Sequence, residues 1–167
     1  MNAPPLRLLM VAHATPCPDR ADDAARAHRL AERLAPTTAL RLVTLIDKPI
    51  NLEHWRNLHR LVPDTRLVRK GRLARYTRLA HAIAEFADRD PFDAVLLTAP
   101  SLLSIRDSLP VAPLAVHTTA DPTRHPDGQG VMPLPTEDAV DAWVQGLAAH
   151  LPQTHAAPSP GPSRQAA

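Results

Sequence analysis

Two histidines stand at the ends of apolar runs, where a polar side chain can meet a ligand. His13 directly follows the run Leu6–Ala12, and His117 closes the run 112–117. An imidazole titrates near neutral pH and can act as a general base, a hydrogen-bond donor or a metal ligand. We therefore take His13 and His117 as the candidate catalytic residues. The alternative for each is a loop histidine whose ring is satisfied by nearby backbone.

Other polar residues near these histidines complete a candidate substrate site. Asp19 and Asp23 lie between the first apolar run and the first helical pattern, and Arg26 lies one turn into that pattern. Ser101 follows the fourth apolar run, and Asp121 follows the fifth. A guanidinium binds anionic groups, and carboxylates and hydroxyls bind polar ones. We predict that these five residues bind substrate, with a solvated helix arginine as the alternative for Arg26.

The single cysteine and the remaining histidines predict no metal site. Cys17 has no C-x-x-C partner and no evident base in the sequence, which indicates a structural or incidental residue. No two histidines have the spacing of a zinc motif. The sequence also lacks G-x-G-x-x-G after the first run and lacks G-x-x-x-x-G-K-[ST], so dinucleotide binding and P-loop chemistry are not supported. We expect no metal and no cofactor.

Five apolar runs alternate with helical patterns along the chain. The runs are mostly apolar rather than alternating, which is typical of strands buried on both faces of a parallel sheet. They cover residues 6–12, 40–46, 65–68, 93–99 and 112–117. Helices are predicted over 22–34, 51–61, 73–88, 101–109 and 136–151. This alternation predicts an α/β fold with a single doubly wound, mainly parallel five-stranded sheet, Rossmann-like in order 3-2-1-4-5, and helices on both faces.

Such a sheet would position the candidate site. Open α/β sheets bind ligands at the carboxyl ends of their strands, where the strand order reverses. In the order 3-2-1-4-5, that point lies between the first and fourth strands. His13 and the loop 14–23 would then face Pro100 and Ser101, and His117 and Asp121 would lie along the same edge.

Composition and charge favour one domain without nucleic-acid function. The 167 residues are 44% hydrophobic and 22% charged, and the net charge of +2 is too small to predict nucleic-acid binding. Because Ala, Pro and Ser dominate after residue 151, we predict an α/β domain over 1–151 and a disordered Pro/Ala-rich tail over 152–167.

The segment from Arg56 to Arg78 is locally basic, with eight Lys or Arg residues against one acid. Its simplest interpretation is a solvated face, and the functional one is contact with an anionic substrate or an anionic membrane. No apolar run has the length of a membrane span, and no signal-like segment opens the sequence. We therefore expect a cytoplasmic protein, with peripheral contact at the inner membrane through this segment as a further expectation.

Residues 13–30 resemble the opening of bacterial GT-B glycosyltransferases of the family 4 type, especially the sugar transferases of exopolysaccharide clusters. Those begin with a strand, a Pro-x-Pro loop, a polar or Gly-containing helix start and an arginine. The matching positions here are Pro16, Pro18, Asp23, Arg26 and Leu30. Asp22 stands where the family often has glycine. Phe92-Asp93 and the run from Pro113 to His117 resemble two later strands, so the similarity covers about residues 6–121.

The resemblance implies that the chain is the N-terminal, acceptor-binding half of such an enzyme. His13 and His117 would contact the acceptor or donor sugar, and Arg26 would hold an anionic or lipid-linked acceptor. The family binds its nucleotide-sugar mainly in a second Rossmann-like domain, which this sequence does not include. The resemblance therefore implies a half that needs a second glycosyltransferase domain on another chain, or one that is inactive alone.

Two other functions remain open from the sequence. Val11-Ala12-His13 also resembles the opening of sirohydrochlorin-type metal chelatases, although Ala14-Thr15 replaces their Gly-Ser and the middle strand has no matching histidine. The absent nucleotide motifs and the five glycines also fit a non-catalytic binding or scaffold domain.

Overall fold

A parallel six-stranded sheet forms the centre of the computed structural model, which describes residues 5–20, 22–46, 50–69, 75–89, 91–109, 113–117, 131–134 and 136–150. Its strands are β1 Leu6–Ala12, β2 Thr38–Ile46, β3 Thr65–Arg69, β4 Ala94–Leu97, β5 Leu114–His117 and β6 Val131–Leu134. Its helices are α1 Asp23–Leu34, α2 Leu52–Leu61, α3 Arg75–Arg89 and α4 Glu137–His150, with a 3₁₀ helix over Pro100–Ser108. The strand order is β3-β2-β1-β4-β5-β6, and every pairing is parallel.

The predicted α/β class and the order of the first five strands are confirmed, but the predicted number of strands is wrong by one. The sixth strand, β6, reads Val-Met-Pro-Leu and pairs with β5 from Val131 to Leu134. Met132 is half exposed, and a proline cannot donate to a sheet ladder. Such a short sequence has no buried-strand pattern, and it is tolerated here because β6 lies at the edge of the sheet.

Element boundaries differ from the predicted ones at a few positions. Strand β2 begins at Thr38 rather than at residue 40, and β4 covers only Ala94–Leu97. The segment predicted as a helix over 101–109 forms a 3₁₀ helix over Pro100–Ser108. Pro100 can start a helical turn because its missing N–H would be unpaired there in any case.

Strand β1 is the centre of two apolar layers. It pairs with β2 on one side and β4 on the other, and Leu8, Leu9, Met10 and Val11 are all completely buried. Side chains alternate along a strand, so Leu8 and Met10 pack in the layer that contains residues of α1, α2 and α4. Leu9 and Val11 pack in the opposite layer, with residues of α3 and the 3₁₀ helix.

Helix α1 is specified by its cap and its apolar stripe. The Asp22 carboxylate accepts a hydrogen bond of 2.9 Å from the backbone N–H of Ala24, which satisfies one of the unpaired amides at the helix start. Five of the six buried residues recur at helical spacing and form one stripe: Ala24, Ala27, Leu30, Ala31 and Leu34. Arg26, Arg29 and Arg33 lie outside this stripe and remain at the helix surface.

The basic segment 56–78 surrounds the β3 edge rather than forming one face. Arg56 and Arg60 are exposed on α2, whose Leu58 packs in one layer, whereas Arg78 is exposed on α3, which packs in the other. Arg66 on β3 forms an ion pair with Glu85 of α3. Lys70 and Arg72 lie outside the described residues, as do Asp121 and the predicted tail 152–167.

Among the described residues, no helix combines the length and the apolarity needed to cross a bilayer.

Candidate functional site

The two candidate catalytic histidines lie along one edge of the sheet. His13 directly follows β1, and His117 is the last residue of β5. Because β1, β4 and β5 are parallel neighbours, both strands end at the carboxyl edge, with β4 between them. His13 is half-buried, whereas His117 is only 2% exposed. The fold therefore places both at the edge where α/β sheets bind ligands.

His117 lines a pocket at this edge. The pocket has a volume of about 330 Å³. It is lined by Arg26, Arg29, Arg33, His117, Thr136, Glu137 and Asp138. Among the described residues, neither ring nitrogen of His117 has a hydrogen-bond partner. Burying a polar group without a hydrogen bond is costly, which makes the His117 ring a candidate for contact with a ligand or with solvent.

The environment of His117 keeps its imidazole neutral. Burial lowers the pKa of His117 below its ordinary value of 6.5, and the positive charge of Arg26 lowers it further. Arg29 acts in the same direction, while Glu137 and Asp23 oppose the shift. At neutral pH the ring therefore carries one N–H donor and one lone pair.

Arg26 brings a cation into this pocket. Its side chain is 25% exposed, and its guanidinium donates to the Asp23 carboxylate at 3.0 Å. The two residues are one turn apart on α1, which is the spacing at which helix neighbours meet. The pair therefore presents a donor and an acceptor together beside His117.

Ion pairs between α1 and α4 form the remaining wall. Arg29 donates from Nε to Glu137 at 2.8 Å, and Arg33 donates to Asp138 at 2.7 Å and also contacts Asp141. Burial raises the pKa of Glu137, but the hydrogen bonds and charges of Arg29 and Arg33 outweigh it, so that pKa is lowered. The hydrogen bonds that Arg33 donates to the Asp138 and Asp141 carboxylates raise the pKa of Arg33. Both shifts favour the charged forms of Glu137 and Arg33.

The residue that caps the start of α4 also lines the pocket. The Thr136 hydroxyl accepts a hydrogen bond of 3.1 Å from the backbone N–H of Ala139. This places Glu137 in the first turn, where the helix dipole favours a carboxylate. The cap therefore fixes both an acidic and a hydroxyl group at the pocket wall.

The predicted substrate-binding residues separate into different places. Arg26 lies in the His117 pocket, and Asp23 is paired with it. Asp19 instead contacts His54 of α2, with its carboxylate oxygen 2.6 Å from Nε2. Ser101 is exposed at the start of the 3₁₀ helix, where its carbonyl accepts from the Ser104 hydroxyl.

The prediction that Cys17 lacks a base is wrong. The Cys17 thiol lies 3.5 Å from Nδ1 of His54, although 37 residues separate them in the chain. Asp19 contacts the other ring nitrogen of the same histidine. The loop after β1 and the first turn of α2 therefore form a second cluster at the carboxyl edge, which we call the Cys17 cluster: Cys17, Asp19 and His54.

Several residues that line the pocket were not predicted from the sequence. Arg29 and Arg33 continue the stripe of Arg26 along α1, and Glu137 and Asp138 open α4. The sequence does show a basic stripe on one predicted helix and an acidic start on another, and these charges are complementary. Which residues pair cannot be predicted until the two helices are known to be neighbours.

Comparisons of this chain with protein-family models, with curated proteins and with solved structures find no match. Function is therefore inferred from the geometry of the His117 pocket and the Cys17 cluster.

Stability should depend on pH through His117. We expect the free energy of unfolding to decrease as the pH falls below about 6.5, where an unfolded histidine protonates but buried His117 stays neutral. In that window the unfolded state binds more protons, so stability rises with pH. Urea denaturation between about pH 7.5 and 5.5 should show a shallower pH dependence for His117→Gln than for the parent protein.

Two controls separate this effect from general acid sensitivity. His81→Gln changes a histidine with a 75% exposed side chain and should keep the parent pH dependence. Glu137 contributes in a lower window, because its lowered pKa makes its stabilisation disappear only as pH falls below its ordinary value of 4.5. An unchanged slope in His117→Gln would contradict the assignment of a buried neutral imidazole.

Proposed function

We propose that the chain is the acceptor-binding half of a glycosyltransferase-type enzyme and that the pocket around His117 holds a sugar-containing acceptor. One observation carries this proposal: a buried imidazole whose two nitrogens have no hydrogen-bond partner among the described residues lines a charged pocket at the carboxyl edge of a doubly wound sheet. That edge is where folds of this class bind small ligands. The resemblance of residues 13–30 to family 4 glycosyltransferases supports the choice of a sugar.

The chemistry of the pocket lining suits a polyhydroxy ligand. Each sugar hydroxyl both donates and accepts, and the lining offers both kinds of partner. Arg26 and Arg29 supply donors, Glu137 supplies acceptors, and neutral His117 supplies one of each. Because arginines and carboxylates are both present, the lining favours a ligand with both donors and acceptors over a purely anionic one.

A role for His117 in transfer follows from its protonation state. In glycosyl transfer, an acceptor hydroxyl attacks the anomeric carbon of the donor, the bond to the nucleotide breaks, and the hydroxyl proton must be removed. The lowered pKa keeps His117 neutral, so it can accept this proton at physiological pH. His13 occupies the same edge at the end of β1 and would complete the acceptor site. The nucleotide-sugar would be held by a second chain.

Contact with an anionic membrane remains part of the proposal for a lipid-linked acceptor. The exposed arginines near the β3 edge are Arg56, Arg60, Arg69 and Arg78. Surface arginines near an anionic leaflet add attraction that salt weakens. This contact stays a prediction.

The experiment is a thermal-shift and calorimetric screen of the full chain. The ligands are free sugars, polyprenyl-phosphate analogues, nucleotide-sugars and divalent metals. A ligand that binds the folded state raises its melting temperature by mass action. We expect sugar-containing acceptors to produce the shift. A metal-dependent shift abolished by His13→Ala would favour the chelatase alternative, and no shift with any ligand would favour the scaffold alternative.

Pocket variants should weaken that binding. We expect His117→Gln and Arg26→Gln each to raise the dissociation constant about tenfold, because each removes a hydrogen-bond partner of the ligand. Arg60→Gln changes an exposed arginine on α2 and should leave the constant unchanged. Equal binding by all three variants would place the ligand elsewhere and contradict the proposed site.

A further inference from the structure

We propose that the Cys17 cluster binds a divalent transition-metal ion of the zinc type, with Cys17 Sγ and His54 Nδ1 as ligands and Asp19 as a positioning residue. One donor atom from each of the three residues lies within 4.8 Å of the others. The cluster shares no residue with the His117 pocket, so this proposal stands independently of the proposed function.

The distance between the two ligand atoms matches one edge of a tetrahedral site. Sγ of Cys17 and Nδ1 of His54 are 3.5 Å apart. Zinc–sulfur and zinc–nitrogen bonds of about 2.3 and 2.0 Å, at a tetrahedral angle, place the two ligand atoms about 3.5 Å apart. A zinc ion can therefore enter between these atoms without a change in their separation.

Asp19 determines which nitrogen of His54 is free for the metal. Its carboxylate oxygen lies 2.6 Å from Nε2, and an ionised carboxylate only accepts hydrogen bonds. The proton of the neutral ring therefore resides on Nε2, which leaves the lone pair on Nδ1 directed to the Cys17 side. A carboxylate on the far nitrogen is the usual companion of a metal-bound histidine, because it fixes the tautomer and orientation of the ring.

The backbone that carries the ligands is anchored on both sides. The backbone N–H of Cys17 donates to the carbonyl of Ala24 at 3.1 Å, and the Thr15 hydroxyl donates to the carbonyl of Leu45 in β2 at 3.2 Å. On the other side, Asn51 caps α2 by accepting from Glu53 N–H at 2.9 Å, which holds His54 in the first helical turn. These contacts preorganise the two ligands before a metal arrives.

The donor types select the class of ion. A thiolate and an imidazole favour zinc, cobalt and copper over magnesium and calcium, which prefer oxygen ligands. Binding replaces the thiol hydrogen between sulfur and Nδ1 by the metal, so one proton leaves Cys17 for solvent and no redox change occurs. With two protein ligands, the remaining coordination positions stay open to water or to an added ligand.

The test is a titration of the full chain, without a histidine tag and under a metal-free reductant, with Zn²⁺ and Co²⁺. We expect one ion per chain and a near-ultraviolet sulfur-to-cobalt absorption band. Cys17→Ser should abolish that band, and His54→Gln should weaken binding at least as strongly as Asp19→Asn. Asp19→Asn should weaken Zn²⁺ binding by about 10- to 100-fold, the usual effect of losing such a companion carboxylate.

A matched control and a second readout decide the outcome. His81→Gln removes a histidine whose side chain is 75% exposed and should leave binding unchanged, and circular dichroism of each variant checks that it is folded. Bound Zn²⁺ should also protect Cys17 from iodoacetamide. Binding that survives Cys17→Ser, or the absence of the cobalt band, would overturn the proposal. If Cys17 alkylation is slowed by His54→Gln but unaffected by Zn²⁺, the metal-site proposal would be overturned, and Cys17 would instead be a thiol activated by His54.

Discussion

Replacement of Leu30 by alanine is expected to lower the free energy of unfolding by about 2–5 kcal/mol. Leu30 is completely buried in the middle of α1 and belongs to the apolar layer between the sheet and the helices α1, α2 and α4. The truncation removes apolar contacts and leaves a cavity that the surrounding strands and helices cannot fill completely. Urea denaturation followed by circular dichroism measures the loss, which should appear as a lower midpoint with an unchanged slope.

Leu52→Ala provides a control with the same chemical change. Leu52 is the first residue of α2 and is 60% exposed, so its truncation creates no cavity. We expect a change within about 0.5 kcal/mol. If Leu30→Ala were as mild as this control, α1 would not pack on the sheet as described. The pocket would then lose the helix that carries Arg26 and Arg29.

Asp93→Ala is expected to lower the free energy of unfolding by about 2–3 kcal/mol. The carboxylate accepts from the backbone N–H of Arg7 at 2.8 Å and from its guanidinium at 2.7 and 3.2 Å. The backbone N–H of Asp93 in turn donates to the carbonyl of Arg7 at 2.9 Å. The side chains are only 12% and 22% exposed, so alanine would leave the Arg7 groups poorly solvated. Chemical denaturation of the variant measures this loss.

Asp64→Ala is the matched control for that variant. Asp64 also pairs with an arginine, Arg41, at 3.5 Å, but its side chain is 65% exposed. An ion pair with an exposed partner contributes only about 0–1 kcal/mol, because water already solvates the Asp64 carboxylate. Equal losses in the two variants would show that Asp93 acts as an ordinary surface charge rather than as the contact that joins the start of β4 to β1.

The His117 pocket and the Cys17 cluster both lie at the carboxyl edge of the sheet, but different elements form them. The His117 pocket is formed by the end of β5 and by α1 and α4, whereas the Cys17 cluster is formed by the loop after β1 and the start of α2. Both depend on the parallel sheet, because parallel strands bring the loops that follow them to one edge. The variants proposed for each site leave the residues of the other intact.

Local periodicity in the sequence determined the α/β class, the order of five strands and the approximate limits of the helices. Runs such as Leu6–Ala12 are apolar enough to indicate burial on both faces, and the stripe of Leu30 and Leu34 indicates an amphipathic helix. The positions of His13 and His117 at strand ends followed from the same patterns. The class, the helix limits and the histidine positions depend on residues that are close together in the chain, and the strand order followed from the crossovers typical of that class.

Tertiary structure decided the features that join distant residues. Strand β6, with Pro133, has too little pattern of its own and exists because β5 offers it an edge. Cys17 meets His54 across 37 residues, and Arg33 meets Asp141 across 108, so no local spacing predicts either contact. Sequence patterns report which side chains a segment buries, but partners at such separations are set by how the helices and strands pack together. That packing alone placed a base beside Cys17 and surrounded His117 with paired charges.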